Sequence, residues 1–283
     1  DEVDDHRIVC TVEVGGKLSG RKGVNLRGGG LSAGGLTEKD FGDIRVAAEL
    51  EADYLAVSFV RSADDMHEAR RLMQEAGGKA RLCAKIERAE AIASLNEIIE
   101  ASDAVMVARG DLGVEIGDPE LPGVQKRIIA TAREMNRLVI TATQMMESMI
   151  ENPIPTRAEV LDVANATLDG TDAVMLSAET AVGRYPVQTV AAMAKICIGA
   201  EREATADRPA SGLAAHFQRT DEAIAMATMY TARHMHADAI IALTESGTTA
   251  LLMSRQDTHI PIFALTQYPA SERYLALCRN VFP

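Results

Sequence analysis

The sequence lacks any apolar run long enough to cross a bilayer. Its longest stretches, Leu138 to Ala142 and Ala237 to Leu243, fall far short of the ~20 residues a spanning helix requires, so no membrane association is expected. It is also short of positive charge. Its 29 Lys and Arg against 41 Asp and Glu leave a net charge of −12. Without the clustered cations that grip a phosphate backbone, a general nucleic-acid binder is disfavoured. Cysteine is scarce: Cys10, Cys83, Cys197 and Cys278 lie far apart and read as structural, reduced thiols of a cytoplasmic protein. The N-terminal Asp1-Glu2-Val3-Asp4-Asp5 is acidic where an export signal is basic and then apolar. No Ser-His-Asp or Cys-His grouping and no low-complexity repeat suggests itself, and His234 and His236 read as surface residues at a helix end.

What is present is a chain of 283 residues, 47% hydrophobic, enough for one large domain or two ordinary ones. From residue 53, short β-rich runs alternate with amphipathic segments, the pattern of βα units around a parallel sheet. The strand candidates are Tyr54 to Phe59, Arg81 to Ile86, Asp103 to Ala108, Leu138 to Thr143 and Asp172 to Ser177. Helices are expected over Ala63 to Ala76, Ala89 to Glu100 and Leu121 to Asn136. The strands are nearly continuous apolar runs, as in a parallel sheet covered on both faces, and a doubly wound sheet or a barrel would fit. Residues 1–30, glycine-rich through Gly15-Gly16 and Gly28-Gly29-Gly30, look like part of another module. The polar stretch Ala204 to Gly212 has linker composition. Beyond it, helices over Asp221 to His236, Thr248 to Gln256 and Ser271 to Arg279 alternate with strands Ala239 to Leu243 and Pro261 to Leu265, a small α/β domain that stops abruptly at Val281-Phe282-Pro283.

Polar residues collect at the C-terminal ends of the central strands, the face that holds the active site in β/α barrels. Lys85 and Glu87, two apart at the end of an extended segment, project to the same side. Asp111 follows the next strand in Ala108-Arg109-Gly110-Asp111-Leu112-Gly113, whose glycines let backbone N–H groups approach an anion. Two carboxylates from neighbouring strands, with room for water and substrate oxygens, suit Mg2+. A structural Lys–Glu pair with a helix-capping Asp is the competing reading. Thr143, Gln144, Ser177 and Glu179 stand at the next two strand ends and could hold water or relay a proton, or simply cap helices. The Met145-Met146-Glu147-Ser148-Met149 run reads as packing rather than as a soft-metal site.

Part of this pattern is shared with Mg2+-dependent aldolase and citrate-lyase-like barrels, which stabilise an enolate of pyruvate. The strings Lys22-Gly23-Val24-Asn25-Leu26, Ala84-Lys85-Ile86-Glu87, Met106 to Gly113, Thr141 to Met149, Pro155-Thr156-Arg157-Ala158-Glu159 and Met175 to Ala181, in this order, instead resemble pyruvate kinase. The resemblance runs from about residue 8 to the end of the chain. It implies phosphoryl transfer between phosphoenolpyruvate and ADP, giving pyruvate and ATP in glycolysis, with Mg2+ (or Mn2+) and K+ as cofactors. It implies that Glu87 and Asp111 hold the divalent metal and that Lys85 faces the transferring group. The backbone of Arg109, Gly110 and Asp111 would receive the substrate carboxylate. Thr143, with Ser177 and Glu179 behind it, would assist protonation of the enolate carbon. Lys22 would contact nucleotide phosphate, and Ser58 would lie near K+. The loop Thr244-Glu245-Ser246-Gly247-Thr248-Thr249-Ala250 matches a phosphorylated-effector cradle through Thr244, Ser246, Thr248 and Thr249, with Glu245 an awkward neighbour for phosphate. The implied assembly is a homo-oligomer, a tetramer.

The implied architecture is α/β: a partial (β/α)8 TIM barrel over residues 31–203, the remnant of a β cap domain over 1–30, and an incomplete three-layer α/β regulatory domain over 204–283. Five βα units are present where a closed barrel takes eight. In the family the other three strands carry an arginine, an Asn-x-Ser-His segment and most K+ ligands. The chain taken alone is therefore also readable as an inactive binding or assembly fragment that keeps the metal site and effector loop.

Overall fold

A computed structural model describes residues 2–4, 7–16, 36–204, 219–256 and 258–283. The linker over 205–212, Lys22 and Gly28 to Gly30 lie outside the described residues. The first elements are an antiparallel hairpin, β1 (Glu2–Asp4) with β2 (Arg7–Val9), in the segment expected to be β-rich. A helix that the apolar pattern did not reveal follows, α1 (Glu38–Glu49). Its signal was local. Thr37 and Asp40 form a capping box, each side chain satisfying the other's backbone N–H.

The central unit alternates strand and helix: β3 (Tyr54–Val57), α2 (Ala63–Glu75), β4 (Arg81–Ile86), α3 (Ala89–Ala93), α4 (Leu95–Ala101), β5 (Ala104–Ala108), α5 (Arg109–Ile116), α6 (Leu121–Glu134) and β6 (Leu138–Ala142). A short 3-10 turn (Glu147–Ile150), α7 (Arg157–Asp169), β7 (Ala173–Met175), α8 (Ala178–Ala181) and α9 (Pro186–Ala204) complete it. All five expected strands form, β4 over its full expected length and the other four shortened by one to three residues. The helix expected over Ala89 to Glu100 is broken at Ser94, which leaves helical geometry at φ −104°, ψ 24°.

The sheet order is β3-β4-β5-β6-β7, all parallel and all in chain order. A doubly wound sheet reverses its order at a switch point, so this succession selects the barrel arc. Leu82, Ala84, Ile86, Val105, Val107 and Val139 on one face pack with Met66, Ile98, Ile99, Ile128 and Ile129 of the helices. The alternate residues Cys83, Ala104, Met106 and Leu138 join a cluster with side chains of the C-terminal unit.

That unit contains α10 (Thr220–His234), β8 (Ile240–Leu243), α11 (Thr248–Ser254), β9 (Ile262–Leu265), α12 (Pro269–Leu275) and β10 (Val281–Phe282). Val281 and Phe282 form a third parallel strand, in the order β10-β9-β8. One face, Ile240, Ala242, Ile262, Ala264 and Val281, is buried with the helices. The other face exposes Ile241, Leu243, Phe263, Leu265 and Phe282 among the described residues.

The two units meet where the central strands begin. Asp172, just before β7, pairs with Arg255 at 2.6 Å, and both side chains are within 5% of complete burial. Asp172 also accepts the backbone N–H groups of Val139 and Arg279. Arg273 pairs with Asp53, and Arg81 stacks its guanidinium 4.1 Å from the Tyr274 ring centre. Burial pushes the Cys278 thiol up to about 12, in keeping with an inert structural cysteine. Breaking a buried ion pair from one side leaves a charge without its partner. Asp172→Ala should therefore cost about 3–5 kcal/mol and lower the urea unfolding midpoint, whereas an exposed pair such as Lys39–Asp43 should be near neutral when broken.

Candidate active site

The register of the sheet decides which polar ends meet. Val57 pairs with Ala84, which sets Ser58 beside Lys85, and the Lys85 ammonium donates to Ser58 Oγ at 2.9 Å. Two residues on, Glu87 is almost completely buried, with Lys85 Nζ 2.8 Å from its Oε1. The pair is close but poorly directed. Neither Glu87 oxygen has a hydrogen-bond partner of good geometry among the described residues. Burial raises the Glu87 carboxyl above the usual carboxylate range, against the pull of the Lys85 ammonium, and the nearby charge of Asp111 adds to the rise. Asp111 stands in the first turn of α5, directly after β5. A buried carboxylate held mainly by the Lys85 contact, with the charge of a second carboxylate nearby, fits a divalent cation. No group of three or more His, Cys, Asp and Glu placed to hold a metal ion occurs among the described residues, so an ion on two carboxylates would take most of its shell from water and substrate oxygens.

The second half of the site is the loop after β6. Thr143 and Gln144 both hold positive φ, 67° and 53°, which for a β-branched threonine is a strained backbone that surrounding contacts must maintain. Those contacts come from three elements. Arg109, buried at the start of α5, donates to Thr143 O at 2.7 and 3.1 Å and to Ala142 O at 3.3 Å. Its outer nitrogen is fixed by both oxygens of Asp162 on α7, each at 2.7 Å. Glu179, buried, accepts the N–H groups of Met146 at 3.1 Å and Ser177 at 2.8 Å. Glu159 accepts the Ser148 N–H at 2.7 Å and the Ser148 hydroxyl at 2.6 Å, and also closes a capping box with Thr156 at the start of α7. Met145, Met146 and Met149 are fully buried, as packing residues.

The residues expected to act together thus divide. Ser58, Lys85, Glu87 and Asp111 form one cluster. Gly110 connects it to Thr143, whose Oγ1 accepts the Gly110 N–H at 2.9 Å and donates to Ala142 O at 2.6 Å. The Arg109 side chain and Glu179 hold backbone instead of facing the cluster. Asp162 carried no signal in the sequence and Glu159 only that of the Pro155 to Glu159 string, because carboxylates on a helix read as solvated surface until the fold brings the Thr143 loop against them.

Thr244, Ser246, Thr248 and Thr249 lie elsewhere, at the end of β8 and the start of α11 on the other sheet. Thr244 Oγ1 accepts the Gly247 N–H at 2.9 Å, and the Ser246 and Thr248 hydroxyls are 2.8 Å apart. Gly247 holds φ +89°, and a Cβ there would come within 3.1 Å of Tyr274 and Leu275. Thr244 and Glu245 line an open cleft of about 480 Å³ with Leu243, Leu265, Thr266, Gln267 and Tyr268.

A parallel sheet of five strands in chain order, covered by helices, places the chain in the α/β class, with the Lys85–Glu87 pair beyond the C-terminal end of β4. Comparison with known proteins narrows the class. Residues 1–190 match the family model for the pyruvate kinase barrel domain, and residues 222–283 the one for the pyruvate kinase alpha/beta domain. The chain is 57% identical to pyruvate kinase II of Salmonella typhimurium, over all of this chain and 60% of that protein. It is 56% identical to a pyruvate kinase of Haemophilus influenzae, over 99% of this chain and 59% of the relative, and 45% identical to one of Mycobacterium tuberculosis, over 98% and 58%. The chain belongs to the pyruvate kinase family, and it spans about three fifths of the length of these curated relatives. No helix among the described residues is long and apolar enough to cross a membrane.

Burial of Glu87 has a pH signature. Because its carboxyl is raised in the fold, stability is full below the ordinary glutamate range and falls as pH rises toward the folded value, where the buried charge must form. Glu87→Gln should therefore stabilise the metal-free protein near neutral pH and flatten that decline, measured as thermal unfolding midpoints across pH 4 to 8 (about the span of a raised carboxylate).

Proposed function

We propose that the chain carries the phosphoryl-transfer site of a pyruvate kinase, moving phosphate from phosphoenolpyruvate to ADP to yield pyruvate and ATP. The observation that carries this is the buried Glu87 carboxylate, short of directed partners, beside Asp111 and Lys85 at adjacent strand ends. Glu87 and Asp111 would hold Mg2+, which supplies Lewis-acid neutralisation of phosphoryl oxygens when bound. Lys85 serves as the fixed cation facing the transferring group, where charge spreads over the phosphoryl oxygens and positioning does most of the catalysis. Ser58 holds the ammonium in place and is proposed as a neighbour of K+. The start of α5 at Arg109, Gly110 and Asp111 receives the substrate carboxylate, with the Gly110 N–H exchanging its Thr143 partner for it. Thr143 manages the proton at the enolate carbon, and Ser177 and Glu179 keep its loop in register. Lys22 is proposed to meet nucleotide phosphate.

The remaining assignments follow the family. Residues 1–30 belong to the cap, 31–203 to the barrel and 204–283 to a regulatory unit whose Thr244, Ser246, Thr248 and Thr249 cradle a phosphorylated effector. The working assembly is a cytoplasmic homotetramer serving glycolysis.

A lactate dehydrogenase-coupled assay of the full-length protein tests the reading. Pyruvate should form from phosphoenolpyruvate and ADP only with Mg2+ and K+. Cleavage of citramalate or a hydroxy-keto acid would favour an enolate lyase instead. Lys85→Met should abolish phosphoryl transfer while the circular dichroism spectrum stays native, and wild-type turnover would remove Lys85 from the chemistry. Thr143→Ala should slow solvent-proton exchange at the pyruvate methyl group by about 10²-fold, the usual scale for a proton-transfer group, with little change in metal affinity.

A further inference from the structure

Glu115 has no part in the chemistry above, yet its carboxylate is buried. It lies one helical turn after Asp111 on α5, at the i, i+4 spacing that puts both side chains on one face. That face meets the turn between β4 and α3 at two levels. Asp111 stands near Glu87, whose carboxyl senses its charge. Glu115 Oε2 accepts the backbone N–H of Ala89, two residues beyond Glu87, at 2.7 Å. Arg88 between them is also buried, with Nε 3.9 Å from Glu115 Oε1 and a terminal nitrogen 3.2 Å from Glu90. A carboxylate is retained at such a depth only where it is paired and hydrogen-bonded. Here the bond joins the two segments that carry Glu87 and Asp111.

We propose that Glu115 is a positioning residue that sets the separation of Glu87 and Asp111, and with it the affinity of the site for a divalent cation. The proposal rests on the reading that those two carboxylates hold the metal. Groups behind a metal's ligands tune affinity by orienting them, typically by about 10–100-fold. Glu115 would do so through the backbone of its neighbour's segment.

The test is Mn2+ binding to the metal-free, full-length protein without substrate, followed by electron paramagnetic resonance. Asp111→Asn is the reference, and unchanged affinity in that variant would defeat the metal assignment itself. Where Asp111→Asn weakens binding, Glu115→Ala should raise the Kd for Mn2+ by about tenfold or more. Glu115→Gln should stay near wild type, because its amide oxygen still accepts the Ala89 N–H. Ala89→Pro removes that N–H alone. Ala89 is the first residue of α3, where proline's missing donor is tolerated, and Arg88 before it is extended at φ −118°, ψ 147°, as a residue preceding proline must be. This variant should match Glu115→Ala, and the double variant should be no weaker than either single one. Wild-type affinity in Ala89→Pro would overturn the proposal, and so would a Gln variant as weak as the Ala variant, since charge rather than position would then be acting. If Glu115→Ala does not fold, Ala89→Pro decides the matter by itself.

Discussion

The site depends on one constraint, the parallel register of β4, β5 and β6. Lys85 pairs with Met106, and Met106 with Ile140, so the ends of three strands finish within a residue or two of one another. Every polar side chain that follows those ends is delivered to a common level without a long loop. A slip of one residue would turn Lys85 toward the helices and bring Ala84 or Ile86 to the site, because side chains alternate between faces. The continuous apolar runs resist that slip: both faces of the strands are buried, so either misregister would push a charge into a core.

Given that register, the local strain can be understood. Thr143 at positive φ is unfavourable alone, and Arg109, Glu179 and Glu159 together hold its loop through bonds to backbone at residues 142, 143, 146 and 148. The anchors arise from α5, α8 and α7, three separate elements, so the loop is over-determined in the manner expected of a functional position. On the other side of α5, Glu87 is buried just after β4, and Glu115 holds the neighbouring segment to the helix.

The junction between the two units is built differently. Asp172 and Arg255 are an ion pair sunk in an apolar cluster that includes Cys83, Tyr274 and Cys278, and Asp172 doubles as a backbone acceptor for β6. A charge with that many partners ties the start of the central strands to α11 and to the chain before β10. The loop at Thr244 follows β8 and borders that junction, with Gly247 packed against Tyr274 and Leu275 and the Glu245 carbonyl accepting the Ser271 hydroxyl.

Period and composition alone determined the βα alternation, the five central strands and the residues at their ends, because a doubly buried strand must be a continuous apolar run bounded by turn residues. Lys85 and Glu87 could be placed together from spacing, since residues two apart on a strand share a face, and Asp111 from the glycine-containing turn after the next strand. Only the tertiary structure decided between a doubly wound sheet and a barrel arc, since strand order is a matter of long-range pairing. It also showed the Arg109 side chain and Glu179 bonded to the backbone of the Thr143 loop, and it revealed the bonds of Asp162, Glu159 and Glu115. Each of these binds a backbone group or side chain far away in sequence, and local patterns carry no record of such a partner. Val281 and Phe282 show the same limit: a two-residue strand exists because Ile262 and Phe263 lie beside it.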